Sequence, residues 1–257
     1  DGLPLTGSGG TPYELLEPLW LSRAEVLRGA NGFDRGALAL GGAVDYITRS
    51  GFDAPRLQLR MEAGSDGYLK RHIASGQVID NLDYYIGITD LHYDGQQDQA
   101  AGSGKGVVAN FGLQLSPDLE TRFFLRYRET EHQSPGRLTQ SQIDDDPTQA
   151  SAANISRDAK REQPGSTWLA NKTTLRLDDM STLEMGLVYH HYPMDLMESP
   201  YRIRVDYSDV SATLNYKREH ELFGLNANTT VGWRTTTNLP SSKAKETAYQ
   251  PFTADGT

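Results

Sequence analysis

The sequence contains no cysteine. A disulfide framework and a thiolate metal site are both excluded by that. Long hydrophobic runs are also missing, since no stretch approaches the roughly 18 consecutive apolar residues of a transmembrane helix. Apolar residues fill only 37% of the 257 positions, below the ordinary globular share. A transmembrane β-barrel survives both deficits, because its strands alternate and never form an apolar run. Positive charge is scarce too: Lys plus Arg number 25 against 34 for Asp plus Glu, a formal charge of −9. Phosphate binding needs clustered Lys and Arg, so nucleic acid is not the main partner. No Ser-His-Asp or Cys-His arrangement, nucleophile elbow or phosphate loop can be placed. Neither an enzyme nor a resident cofactor is expected.

What is present divides into two textures, residues 1–50 and residues 51–257. The first is punctuated by glycine, at Gly7, Gly9, Gly10, Gly29, Gly32, Gly36, Gly41 and Gly42. Such spacing suits tight turns and close backbone approaches. Leu15 to Leu21 reads as a short helix broken by Pro18, whereas Ala24–Leu27 and Ala43–Thr48 read as strands. Ser50 to Pro55 has the composition of a linker.

Beyond it a two-residue period takes over. Leu57, Leu59, Met61 and Ala63 alternate with Gln58, Arg60 and Glu62. The same alternation runs through 107–115, 123–127, 183–191, 210–216 and 225–233, and more weakly through 69–79, 84–94 and 166–177. About nine half-polar strands result. Short connections fall at Asp80–Asp83, Ser116–Glu120, Asp178–Ser181 and Lys217–Phe223. Longer polar ones fall at 95–105, 132–165, 194–202 and from 238 onward, with Ser65–Tyr68 the short exception on that side. Tight turns at one end and long loops at the other are the habit of outer-membrane barrels. Aromatics near strand ends (Tyr84, Tyr85, Tyr93, Tyr127, Tyr189, Tyr192, Tyr216 and Trp233) match the girdles of such barrels. A soluble β-rich ligand-binding module alternates as well, and periodicity alone leaves it open. In the barrel reading Leu113, Leu125, Leu187 and Leu214 meet lipid, and an arginine is expected to cost more at Leu187 than at Val188.

The run from Arg23-Ala24-Glu25-Val26-Leu27-Arg28-Gly29, through Gly36, to Gly41-Gly42-Ala43-Val44-Asp45-Tyr46-Ile47-Thr48-Arg49 is the most specific signal. It resembles the end of the plug domain of TonB-dependent outer-membrane receptors, and Asp1-Gly2-Leu3-Pro4 matches a segment usually upstream of it. Three positions depart from that pattern: Ala30 for Pro, Arg35 for Tyr and Asp45 for Asn. The resemblance implies that residues 1–50 are the C-terminal part of a small mixed α/β plug. Residues 51–257 are then the N-terminal part of an all-β transmembrane barrel, about nine strands out of about 22. Both ends are expected to be cut from a longer chain. Plug cations such as Arg28 and Arg49 are expected either to pair with carboxylates of the barrel wall or to sit solvated at turns.

The function implied is energy-coupled import of a scarce metal chelate, an iron siderophore first. Heme, cobalamin, ferric citrate, another metallophore or an organic cofactor stay open as ligands, and so does an added signalling role. The implied partners are that ligand, outer-membrane lipid of a Gram-negative cell, and the TonB-ExbB-ExbD complex, whose contacting segment is absent from this chain. The receptor is expected to be a monomer. The candidate apical loop, Thr6 to Tyr13, offers Thr6, Ser8, Thr11 and Tyr13 to a ligand. Lumen-facing Arg126, Arg128, His190 and Tyr192 could meet it from the wall, ordinary lumen lining being the alternative. His190 and His191 are adjacent on a strand and point to opposite faces, so they cannot share a metal. Asp144-Asp145-Asp146 lacks the spacing of a calcium loop. Pro135-Gly136-Arg137-Leu138-Thr139 resembles a loop entry of the branch that takes up ferric citrate and similar small ligands. The 132–165 loop is expected to be mobile and to be cut near Arg157, Lys160 or Arg161.

Overall fold

The computed structural model describes residues 1–5, 15–29, 32, 41–198 and 201–239, together with the backbone of 242–247. A 3-10 turn spans Pro18–Trp20, its start capped by the Glu17 carboxylate, which accepts from the Leu19 N–H at 3.2 Å. Pro18 has no N–H to leave unsatisfied there. Strands β1 (Leu21–Arg28) and β2 (Gly42–Thr48) follow and pair antiparallel, from Leu21↔Thr48 to Arg28↔Gly42. Gly42 is obligatory at the end of this ladder: its φ is +125° and a Cβ would lie 2.2 Å from the Leu27 carbonyl oxygen.

Every later strand belongs to one antiparallel sheet. It runs in chain order through β3 (Gln58–Ala63), β4 (Leu69–Ile79), β5 (Leu82–Tyr93), β6 (Gly102–Ser116) and β7 (Leu119–Gln133). It continues through β8 (Lys160–Asp178), β9 (Ser181–Glu198), β10 (Tyr201–Leu222) and β11 (Leu225–Asn238). A last strand, β12 (Ser242–Thr247), pairs with the part of β10 that β11 leaves free. Each of the strands expected from the two-residue period is present. Their ends on the long-loop side extend further than the period showed. β6 begins at Gly102, and β9 and β10 fill most of the expected 194–202 loop. At the other end β10 continues to Leu222, so the turn is Phe223-Gly224, with φ of 53° and 77°, the two left-handed residues a tight hairpin needs.

The sheet has two unlike faces. Ile86, Ala109, Leu125, Leu169, Tyr189 and Val210 are successive cross-strand partners from β5 to β10, and they form an outward apolar row. Flanking rows add Ile73, Ile88, Phe123, Leu187 and Leu214, all exposed. Toward the long loops this band ends in charge: Arg71 pairs with Asp90, and Lys105 with Glu129 at 2.9 Å. The next inward row, Gly87, Val108, Arg126, Trp168, His190 and Asp209, is buried or glycine, and Val108, Arg126 and Trp168 in it meet Trp20, Asp1 and Pro4. Tyr127, Tyr189 and Trp233 sit outward as a girdle requires. Tyr85, Tyr93 and Tyr192 do not: their strand positions point inward, and Tyr85 is fully buried.

Two expectations about connections are corrected. Residues 50–55 are no loose linker, because the Gly51 N–H donates to Asp83 and the Gly76 N–H donates to the Pro55 carbonyl. A Cβ at Gly51 would lie 2.2 Å from the Gln77 carbonyl oxygen, so the chain runs directly against the sheet. The loop expected at 132–165 spans only 134–159 and is built around α1 (Gln140–Asp145) and α2 (Ala152–Ser156). Thr139 and Gln142 close a capping box on α1, and buried Asn154 donates to the Ser134 carbonyl at 3.0 Å. Lys160 and Arg161 belong to β8.

Candidate functional site

The inner face carries the chemistry, and residues 1–5 and 15–20 dock on it at two places. On β7–β9, Leu15 packs with Phe124, Trp168, Ala170 and Val188, joined by Leu3 and Leu5. The Trp168 indole N–H donates to the Pro4 carbonyl at 2.9 Å. Arg126 lies 4.8 Å over the Trp168 ring and donates to Asp1 Oδ2 at 2.7 Å and Thr48 Oγ1 at 2.6 Å. A guanidinium this deeply buried requires its carboxylate, since an unpaired charge there is costly.

The second docking place is on β4–β7. Trp20 is 1% exposed, and its Nε1–H donates to Thr89 Oγ1 at 2.9 Å. His72 Nδ1 lies 2.8 Å from the same hydroxyl, and the Tyr85 hydroxyl donates to the Leu19 carbonyl at 3.3 Å. Gly106 makes room for the indole: a Cβ there would lie 2.7 Å from Trp20 Cη2. Beside it Glu17 accepts from Lys70 Nζ at 2.5 Å and lies 3.4 Å from Arg128 Nη2. Arg128 also donates to the Leu16 carbonyl at 2.7 Å. These ion pairs reverse the first of the two arrangements expected for the plug cations. The carboxylates Asp1 and Glu17 come from the N-terminal segment and the cations from the wall, while Arg28 is exposed. Asp45, at the position where asparagine is usual, accepts from the Gly2 N–H at 3.0 Å and so fastens residues 1–2 to β2.

The four wall residues expected to meet a ligand all point inward, but they divide. Arg126 and Arg128 are engaged by the N-terminal segment. His190 and Tyr192 lie beyond those contacts, their rings 6.0 Å apart, with Arg161 donating to the Tyr192 hydroxyl at 2.8 Å. His191 points outward to Asp206, as the strand alternation demands. Thr6, Ser8, Thr11 and Tyr13 lie outside the described residues.

The inner face of β7–β9 holds buried polar atoms with no hydrogen-bond partner: both His190 ring nitrogens, Ser166 Oγ, both amide atoms of Gln163, Thr130 Oγ1 and Arg126 Nε. A bulge arranges this group. The β8–β9 register breaks between Glu162 and Thr167, across Gln163-Pro164-Gly165-Ser166, with Gly165 at φ 99°. Pro164 cannot donate to a ladder, and a bulge both accommodates it and re-aims the neighbouring side chains.

No protein-family model matches the sequence, and no curated protein matches it. Solved structures do resemble it. The ferric citrate transporter FecA, unliganded, superposes with a TM-score of 0.68 at 14% identity, over 90% of this chain and 37% of that one. The siderophore receptor PiuA of Acinetobacter baumannii gives 0.69 at 13% identity, over 88% and 36%. The closed form of the ferric-catecholate import receptor Fiu of E. coli K12 gives 0.70 at 12% identity, over 91% and 38%. The chain has the fold of the outer-membrane siderophore receptors. It spans a little over a third of the length of these receptor structures.

Within that receptor fold, sequence reasoning missed the docking residues Glu17, Trp20, Lys70, Thr89 and Trp168. Trp20 and Thr89 are 69 positions apart, and no local spacing signals such a pair. The one signal present was Glu17-Pro18, the start of a capped turn that fixes Trp20.

Proposed function

We propose that this chain is part of a TonB-dependent transporter of the Gram-negative outer membrane, importing a metal chelate, first of all an iron siderophore. In this reading residues 1–50 are the C-terminal part of the plug, and residues 51–257 are the first strands of the barrel. The observation that carries it is the glycine-punctuated motif, folded as β1–β2 and pinned by Trp20, Glu17 and Asp1 to the polar inner face of a sheet whose outer face is apolar. A soluble module has no use for an exposed apolar band running across β3 to β11. The protein acts as a receptor and transporter rather than an enzyme. Arg126 and Arg128 then hold the plug in its closed position. His190 and Tyr192 on the wall, with Thr6, Ser8, Thr11 and Tyr13 at the apex, meet the ligand. The TonB-ExbB-ExbD complex supplies the force that rearranges the plug, and the receptor works as a monomer.

The test is uptake of labelled ferric chelates by cells carrying or lacking the intact gene, with and without TonB. Uptake that depends on both supports the proposal. Uptake unaffected by deletion across a broad chelate panel, or a protein extracted without detergent, overturns it.

A further inference from the structure

We propose that Trp20, Thr89 and His72 form a proton-sensitive pin, which holds residues 15–20 on the wall only while the His72 imidazole is uncharged. The proposal goes beyond the transport reading and is independent of which ligand is carried.

The direction of the hydrogen bonds supports it first. An indole N–H can only donate, so Thr89 Oγ1 is the acceptor at 2.9 Å. That hydroxyl keeps one hydrogen of its own, and His72 Nδ1 lies 2.8 Å away. A neutral ring with its hydrogen on Nε2 accepts it, and the chain runs in one sense from Trp20 through Thr89 to His72. A second proton turns Nδ1 into a donor. Thr89 Oγ1 then faces two N–H groups while its own hydrogen loses its acceptor, and the chain breaks in the middle.

The surroundings support it second. Trp20, Thr89 and His72 are 1%, 3% and 4% exposed. His72 Nε2 has no hydrogen-bond partner among the described residues, so a charged ring would leave one N–H of a cation unpaired in the interior. The charged and titratable groups around the ring are Glu17 from the turn, Arg49 after β2, Arg60 on β3, Lys70 on β4, Tyr85 on β5 and Arg128 on β7. Glu17 is already shared by Lys70 and Arg128, and Arg60 is paired with Glu62, so each facing carboxylate is matched before the ring is charged. The ring is also closely held. A Cβ on Gly87 would lie 3.3 Å from His72 Cε1, 3.2 Å from the Tyr85 hydroxyl oxygen and 3.1 Å from Val108 Cγ1.

Docking of residues 15–20 therefore competes with protonation of His72. A free imidazole titrates near about 6.5, so the pin is at full strength above that value and weakens as the pH falls below it.

The experiment is hydrogen exchange, read by mass spectrometry over peptides covering 15–22, on the intact receptor in detergent. It compares about pH 7.5 with about pH 5.5 after correction for intrinsic exchange. Protection of 15–22 is expected to fall about tenfold at the lower pH, the factor for a group titrating near 6.5, while β5 and β6 keep theirs. His72→Asn puts an amide oxygen where Nδ1 accepts and takes up no proton, and its protection is expected to be equal at the two pH values. Thr89→Val removes the relay; with the barrel still heat-modifiable, 15–22 is expected to be loosened already at the higher pH and no further in acid. Unchanged protection in the unsubstituted receptor overturns the proposal, and so does the full acid loss persisting in either variant. Each of those results leaves the transport reading standing, since chelate uptake tests it separately.

Discussion

Glu17 shows how much one carboxylate can decide. It is 2% exposed, caps the turn that presents Trp20, and faces both Lys70 and Arg128. Glu17→Gln keeps the shape and removes the charge, leaving two largely buried cations with a neutral amide. Breaking a buried pair from one side costs about 3 kcal/mol. Hydrogen exchange at the Leu19 and Trp20 amides is expected to accelerate accordingly, and unchanged protection would show that the pair contributes nothing. Position 187 against 188 tests the two faces. Leu187 is 60% exposed on the outward face, and arginine there is expected to cost about 2–4 kcal/mol if it lies near the bilayer midplane. Arginine at Val188 was expected to cost less because it faces the lumen. Val188 is 4% exposed and packs with Leu15, Phe124 and Trp168, so arginine there displaces the N-terminal segment. Val188→Arg should assemble into membranes but expose residues 1–5 and 15–20 to protease, whereas Leu187→Arg should fail at assembly.

At the scale of elements, the 134–159 segment owes its order to local chemistry rather than to a core. Thr139 and Gln142 satisfy each other's backbone at the start of α1, and replacing such a cap by alanine costs about 1 kcal/mol. Thr139→Ala is expected to speed amide exchange across 140–146 and leave β7 and β8 untouched. The end of the same element is set by Asp146, whose carboxylate accepts from the Thr148 hydroxyl at 2.7 Å and its N–H at 2.8 Å. Those bonds, the hydroxyl's first, hold its carboxyl below the usual 3.8. A depressed folded pKa contributes order above the unfolded value and loses it as pH falls through the folded one. A spin label at Ser141 should therefore be equally ordered from about pH 5 upward and loosen only in the acid range below 3.8. Loosening already near neutral pH would exclude Asp146 as the cause.

For the whole molecule, accessibility separates the loop lobe from the wall. Trypsin added to intact cells was expected to cut at Arg157, Lys160 or Arg161. Lys160 and Arg161 are paired into β8 with β7 and β9, and cleavage needs a segment that can leave its ladder. Arg137 is exposed between Gly136 and Thr139, outside any element. Mass spectrometry of the released fragments should find the first cut after Arg137. A first cut after Arg161 would mean that β8 is shorter than it stands.

Alternation is a local property, and so the nine strands, their inward and outward residues and the opposite aims of His190 and His191 were all legible in the sequence. The plug-like strands β1 and β2 were legible for a different reason, since glycine is demanded wherever backbones meet as closely as Gly42 and Leu27 do. What only the tertiary structure decided was pairing across distance. Arg126 read as a candidate ligand contact, and nothing in the sequence announced Asp1, 125 positions away, as its partner. Tyr85, grouped with the girdle aromatics, is fully buried and donates to the Leu19 carbonyl, 66 positions away. The 134–159 loop looked polar and unstructured because its order comes from side-chain caps and a docked neighbouring loop, neither of which leaves a hydrophobic period. Periodicity determines which face a residue occupies, but charge and hydrogen-bond partners are set by whatever the folded chain brings opposite.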